Sequence, residues 1–170
     1  SPSDLTVEPS SRSAEVTWLG GDSYNLRYRT AFVGLQEGFS SAPSGWLFRT
    51  GALNNDGTAS LSGTSSWSSG TSNNVFDSHI YMNFYSTKNY WLITPSISIQ
   101  DDCLFNFDVA YTAYSGSNAT PAQNCTTHRF AVLISTDNME SWTILREWNN
   151  NGSSYSLDGI STTGDNVSIS

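Results

Sequence analysis

Phe105-Asn106-Phe107-Asp108-Val109-Ala110-Tyr111 carries Phe, Phe, Val and Tyr at every second position, with Asn106 and Asp108 between them. A period of two is what a strand needs when one face is buried and the other is wet. Phe130, Val132 and Ile134 repeat the pattern downstream, and Trp142, Ile144 and Trp148 suggest one more strand beyond the turn Thr136-Asp137-Asn138-Met139. Upstream, Ile80, Met82 and Phe84 alternate with Tyr81 and Tyr85, and Tyr90-Trp91-Leu92-Ile93 follows, closed by Pro95, whose missing amide hydrogen suits a strand end. Near the start, Leu5 and Val7, then Ala14, Val16 and Trp18, then Tyr24, Leu26 and Tyr28 predict three strands of an antiparallel meander. No window holds a 3.6-residue stripe. Short strands at this spacing without helices point to an all-β antiparallel sandwich.

Between these runs the chain is rich in turn chemistry. Asn54-Asn55-Asp56-Gly57 is a strong turn signal, and Ser60 to Asn74 is a polar tract with Trp67 inside it, expected to be a loop that folds back on the body or presents a ring to ligand.

Charged residues make up 13% of the 170-residue chain, about half the usual ~25%. Net charge is -8 with 7 basic residues, which opposes nucleic acid and anionic lipid, since both need clustered Lys and Arg. No apolar run approaches the ~18 residues of a transmembrane helix, so no transmembrane segment is expected, and Ser1 to Glu8 lacks the marks of a signal peptide. The two cysteines, Cys103 and Cys125, invite a disulfide. If 104–113 and 128–136 were neighbouring antiparallel strands, however, the pair would sit at opposite ends of the ladder, ~33 Å apart, which favours free thiols.

The inventory for catalysis is poor. A serine triad needs a base, yet His79 and His128 both begin predicted strands without a nucleophile context. Glycosidase chemistry needs two carboxylates roughly 5 to 10 Å apart, whereas Asp108 stands alone on its strand and Glu140 and Glu147 flank a turn and a strand end. The chain is therefore expected not to be an enzyme. Among metals, calcium suits it best, because hard oxygen ligands are plentiful and thiol or imidazole clusters are not. Aromatic rings can stack on the apolar faces of sugars, and strand parity or loop position makes Trp67, Tyr85, Tyr90, Tyr114 and Trp148 the candidate ligand-binding rings. Trp18, Trp46, Trp91 and Trp142 are expected in the core. Four sequons occur, at Asn118, Asn124, Asn151 and Asn166, about the number chance supplies in so Ser- and Thr-rich a chain.

Two stretches resemble known families. Pro2 to Arg29, with Trp18 ending its second strand and the alternating Tyr24 to Arg29, resembles the first strands of a fibronectin type III domain, though it is far shorter than a full one. From about Glu37 onward, EGFSSAPSGW (Glu37 to Trp46), NYWLITPSISI (Asn89 to Ile99), CLFNFDVAY (Cys103 to Tyr111) and FAVLISTDNMESWTIL (Phe130 to Leu145) resemble, in order and spacing, the cleaved-adhesin and choice-of-anchor J group of Bacteroidetes, related to MAM domains. The resemblances imply a partial fibronectin type III-like segment over 1–31 and a jelly-roll domain over 32–170. They imply a secreted or cell-surface protein, with glycans or host surface proteins as partners. Glu37 becomes a candidate calcium ligand, with Asp56, Asp101 and Asp102 as weaker additions. Members of the group usually continue with two more strands, whereas here Val167-Ser168-Ile169-Ser170 would only begin the first, so the jelly roll is expected to lack its last strands and to leave an edge open to a strand-completing partner. The function expected is a non-catalytic module for adhesion or carbohydrate binding; the alternatives are a structural spacer and an accessory fragment of a secreted hydrolase.

Overall fold

A computed structural model describes residues 3–9, 14–19, 34–70, 75–83, 88–99, 103–112, 129–149 and 160–170. Every regular element among them is a β-strand and every ladder is antiparallel. The chain divides into two compact units, Ser1–Val33 and Gly34–Ser170.

In the first unit β1 (Ser3–Pro9) pairs with β2 (Ala14–Leu19), with Val7 opposite Val16 and a register irregularity between Ser3 and Thr6. The third strand expected over Tyr24 to Tyr28 lies outside the described residues.

Among its described residues the second unit holds four two-stranded ladders. β3 (Leu47–Thr50) pairs with β6 (Tyr90–Ile93), and β4 (Ser68–Gly70) with β5 (His79–Tyr81). β7 (Phe105–Val109) pairs with β10 (Asp165–Ile169), and β8 (Arg129–Ile134) with β9 (Thr143–Asn149). β4 lies inside the polar tract expected to be loop. Ladder hydrogen bonds join backbone groups, so a Ser-Ser-Gly stretch forms a strand once a partner presents the matching edge.

Two further expectations are corrected. The strand at Phe105 takes its partner from the end of the chain rather than from the run at Phe130, and Val167 to Ile169 sit within a five-residue strand paired along its length, Val167 opposite Phe107 and Ile169 opposite Phe105. This stretch is thus a formed strand, not one just beginning. The register argument separating Cys103 from Cys125 loses its premise; Cys103 is exposed just before β7, and Cys125 lies outside the described residues.

β7–β10 and β8–β9 share one apolar cluster. Trp148, Ile160 and Val167 are buried at its centre, with Phe107, Val109, Tyr111, Phe130, Val132 and Ile169 packed around them. Period two explains the selection, since Phe107, Val109, Val167 and Ile169 occupy alternate positions of paired strands. The opposite face of the same ladder is polar: Asn166 Nδ2 donates to Asp108 Oδ1 (2.8 Å) and Ser168 Oγ to Asn106 Oδ1 (2.6 Å). Asp108 is therefore part of a cross-strand pair.

The turn joining β8 to β9 is organised around one carboxylate. Asp137 Oδ1 accepts from Ser135 Oγ (2.8 Å) and from the Ser141 amide (3.0 Å), and Oδ2 accepts from Ser141 Oγ. The Met139 amide donates to Ser135 Oγ at 2.9 Å. These bonds hold Asn138 and Met139 at φ 58° and 72°, a region that side-chain-bearing residues enter at a cost. They also draw the Asp137 carboxyl down to about 2, the Ser141 hydroxyl contributing most, then its amide, then Ser135. The turn docks on another: the Trp142 amide donates to Gly57 O at 2.8 Å. Gly57 has φ +84°, and a Cβ there would stand 2.9 Å from Trp142 O, so close approach and left-handed backbone both require glycine.

Candidate functional site

The described aromatic candidates separate sharply. Trp148 is 4% exposed, its ring stacked on Phe130 (centroids 5.4 Å, 24°) and edge-on to Phe107 (6.2 Å, 89°), with the Arg146 guanidinium 4.7 Å from the ring centroid. It is a core residue, and its assignment as a ligand ring is corrected. Parity at the end of β9 could put it on either face; the facing Phe130 draws it inward. Tyr85 and Tyr114 lie outside the described residues. Trp67 and Tyr90 remain, and the structure brings their segments onto the same ladder.

That ladder is β3–β6. Its register sets Arg49 opposite Trp91 and Thr50 opposite Tyr90. The Ser62–Trp67 segment is stitched to it through backbone and hydroxyl groups. The Thr50 and Ser62 amides each donate to the other's carbonyl at 2.8 Å, Thr50 Oγ1 adds a bond to Ser62 O (2.9 Å), and the buried Ser65 hydroxyl donates to Trp91 O (3.0 Å). Trp91 in turn donates its indole N–H to Gly51 O (2.7 Å) and packs on Trp142 (5.1 Å between centroids). The serines of the polar tract thus anchor the loop, which places Ser66 next to Tyr90.

Ser66 Oγ and Tyr90 Oη are 3.2 Å apart and share a hydrogen. Lys88 has its ammonium 5.0 Å from the Tyr90 ring centroid, within cation–π range. The Ser66 hydroxyl, and after it Lys88, favour the phenolate and pull the Tyr90 hydroxyl below its ordinary value. Tyr90 and Lys88 are half-buried and Ser66 is exposed, so ring, hydroxyls and ammonium meet at the surface. Trp67 follows Ser66 but is half-buried, and its indole nitrogen is enclosed with no hydrogen-bond partner among the described residues. Trp67 is thus partly enclosed rather than displayed. Lys88 and Ser66 were not among the residues singled out in the sequence. The available signal was the nearness of Lys88 to Tyr90 at the start of a predicted strand, together with Lys88 being the chain's single lysine.

The proposed calcium ligands are occupied locally. Glu37 Oε1 accepts from the Phe39 amide (2.8 Å), and Asp56 Oδ1 accepts from both the Thr58 amide (3.0 Å) and the Thr58 hydroxyl (2.7 Å), which lowers its pKa. These are the bonds of side chains that close their own turns. Among the described residues no three His, Cys, Asp or Glu side chains converge on a point a cation could occupy, and Asp101 and Asp102 lie outside them. The donor set does not assemble around Glu37 or Asp56 as described, so no chemistry is routed through calcium.

His79, the first residue of β5, has Nδ1 3.3 Å from Phe76 O, while Nε2 is enclosed against Gly70, where an added Cβ would stand only 2.8 Å away. That nitrogen faces protein. His128 lies outside the described residues. Among the described residues no helix is long and apolar enough to cross a membrane. Comparison with protein-family models, with curated proteins and with solved structures finds no match for this chain.

Proposed function

We propose that this chain is a non-catalytic secreted or cell-surface module for adhesion or carbohydrate binding, its second unit built as a jelly-roll-like sandwich. One observation carries the reading: the Tyr90 ring at the surface, with its hydroxyl held by Ser66 and a cation at its face. A saccharide presents apolar C–H faces and rows of hydroxyls, and it is bound by a positioned ring flanked by hydrogen-bonding groups. The low charge density around such a ring suits a neutral, hydroxyl-rich or modestly charged ligand, and the resemblance of Glu37 to Leu145 to bacterial surface adhesins supports the same reading. Calcium enters only as a structural supplement from that resemblance, and dialysis against a chelator should leave binding unchanged if Glu37 and Asp56 serve their turns alone.

The test is a panel of plant, host and bacterial oligosaccharides read by microarray and titration calorimetry. Binding should fall about tenfold in Tyr90→Ala, the scale of one lost ring contact, and less in Tyr90→Phe, which keeps the ring. Binding that survives both substitutions would remove this surface from the site. A chain that binds no saccharide but presents a neighbouring domain would be a structural spacer.

A further inference from the structure

We infer that Asp56–Gly57 is a latent isoaspartate site, a place where the chain can modify itself, held unreacted by Thr58 and by the docking of its turn on Trp142.

An Asp-Gly pair invites this modification because glycine has no Cβ to shield its amide nitrogen from the preceding carboxyl. In the reaction the Gly57 nitrogen attacks Asp56 Cγ. The new N–Cγ bond closes a succinimide ring, and the carboxyl hydroxyl leaves as water with the amide hydrogen. Water then adds to the former main-chain carbonyl of Asp56 and breaks its bond to Gly57 N, so the main chain now runs through Cβ and Cγ. The water lost is regained, and no oxidant or other reactant is needed.

Asp56 is exposed, so burial does not protect it. Both reacting groups are engaged instead. The Gly57 amide donates to Asn54 O at 3.0 Å, which commits the hydrogen that must leave. Asp56 Oδ1 accepts from the Thr58 hydroxyl (2.7 Å) and the Thr58 amide (3.0 Å), and these bonds, the hydroxyl's first, lower the pKa of the carboxyl. The ionised form they favour is the poor electrophile, since it has no hydroxyl to lose. Thr58 is itself fixed by Asn54, whose amide donates to Thr58 O (2.8 Å) and whose Nδ2 donates to Thr58 Oγ1 (2.9 Å).

Docking adds a second restraint. Gly57 O accepts from the Trp142 amide at 2.8 Å, and the Gly57 Cα faces Trp142 O so closely that a Cβ would stand 2.9 Å from it. Ring closure swings the Gly57 nitrogen and Asp56 Cγ together and so strains every one of these bonds. Conversion would also lengthen the backbone between Asn54 and Thr58, which takes Gly57 out of register with Asn54 and Trp142. Because Trp142 packs on Trp91 (5.1 Å between centroids), the lesion would reach the β3–β6 ladder.

The test incubates the full chain near neutral pH and body temperature, folded and unfolded in urea. A second Asp-Gly pair at 158–159 requires a site-resolved readout: loss of endoproteinase cleavage before Asp56, with fragmentation mass spectrometry of the same peptide. The folded chain should convert at Asp56 at least about tenfold more slowly than the unfolded one. Thr58→Val, shown to be folded by circular dichroism, should convert about tenfold faster than the natural chain, the worth of one hydrogen bond to a charged group, whereas Thr58→Ser keeps the hydroxyl and should stay within about twofold. Converted molecules should unfold at lower urea than unconverted ones. Equal rates in the folded and unfolded natural chain, or a folded Thr58→Val that converts no faster than the natural chain, would overturn the inference. So would an unfolded chain that forms no isoaspartate at Asp56.

Discussion

Trp148 is the residue on which the two ways of reading this chain part, and its replacement tests the structural one. As a core residue it is 4% exposed, stacked on Phe130 and edge-on to Phe107, and it ties the β8–β9 ladder to β7–β10. A buried tryptophan removes roughly 200 Å² from water, worth about 5 kcal/mol at ~25 cal/mol per Å². Alanine keeps a fraction of that burial but leaves a cavity between two phenylalanine rings that relaxes only in part, so Trp148→Ala should cost about 4 kcal/mol. At about 3 °C per kcal/mol for a unit of this size, the midpoint of thermal unfolding should fall by about 12 °C. Trp148→Phe keeps an aromatic partner for both rings and should lose only about 1.5 kcal/mol. Arg146→Ala removes the cation above the indole and should cost ~0.5 to 1 kcal/mol. Urea titration followed by far-ultraviolet circular dichroism measures all three without relying on the fluorescence of the residue removed. The reasoning is refuted if Trp148→Ala shifts stability by less than ~1 kcal/mol, and a simultaneous loss of saccharide binding would return Trp148 to the ligand surface.

The remaining predictions concern the two docked turns and one surface ion pair. Asp137 is held at about 2 against an ordinary 3.8, so its ionised form stabilises the fold above about 4, and that contribution disappears as pH falls through about 2. Melting curves of the natural chain and Asp137→Asn should therefore differ at pH 6 and converge between pH 4 and pH 2; a difference constant over that range would show that the turn does not depend on the charge. Gly57→Ala combines φ +84° with a Cβ 2.9 Å from Trp142 O and should cost about 2 kcal/mol in chemical denaturation, whereas Gly38→Ala, with nothing within 4 Å, should be neutral within ~0.5 kcal/mol. Glu147→Gln breaks the exposed Arg129 pair and should change stability by less than ~0.5 kcal/mol, with no recovery of an effect at low salt beyond that figure.

Much of the all-β character was legible because alternation is written into each strand by its own residues. Phe107, Val109, Phe130 and Val132 were predicted on buried faces and line the shared cluster. What could not be read was pairing, since a strand's face is a local property and its partner is not. Nothing in Phe105 to Val109 specifies that its neighbour comes from Asp165 to Ile169, more than fifty residues away, and nothing in Ser68-Ser69-Gly70 announces a strand until His79 to Tyr81 lies beside it. The candidate site shows the same division. Tyr90 was found as a ring at a strand start, but Ser66 reaches it across a loop fold whose anchors, Ser62 and Ser65, look like any other serines in a polar tract.

Parity itself fails where a strand gains a residue, and β9 shows how. Val132 pairs with Arg146, and the next residue, Leu133, pairs with Ile144, so Leu145 has no opposite number and forms a β-bulge. Counting by twos back from Trp148 puts Arg146 and Ile144 on its side; the extra residue breaks that count after Arg146. Ile144 and Leu145 accordingly come out 42% and 44% exposed, although the alternating reading of Trp142, Ile144 and Trp148 assigned Ile144 to the strand's apolar face. Just ahead of β9, Trp142 donates its amide to Gly57 O and packs its ring on Trp91. One inserted position thus lies between two tryptophans with different neighbours: Trp148, within β9, serves the cluster shared with β7–β10, while Trp142, just ahead of β9, packs on Trp91 of the β3–β6 ladder that carries Tyr90. A single regular strand, keeping one face throughout, would have held both tryptophans to the same side.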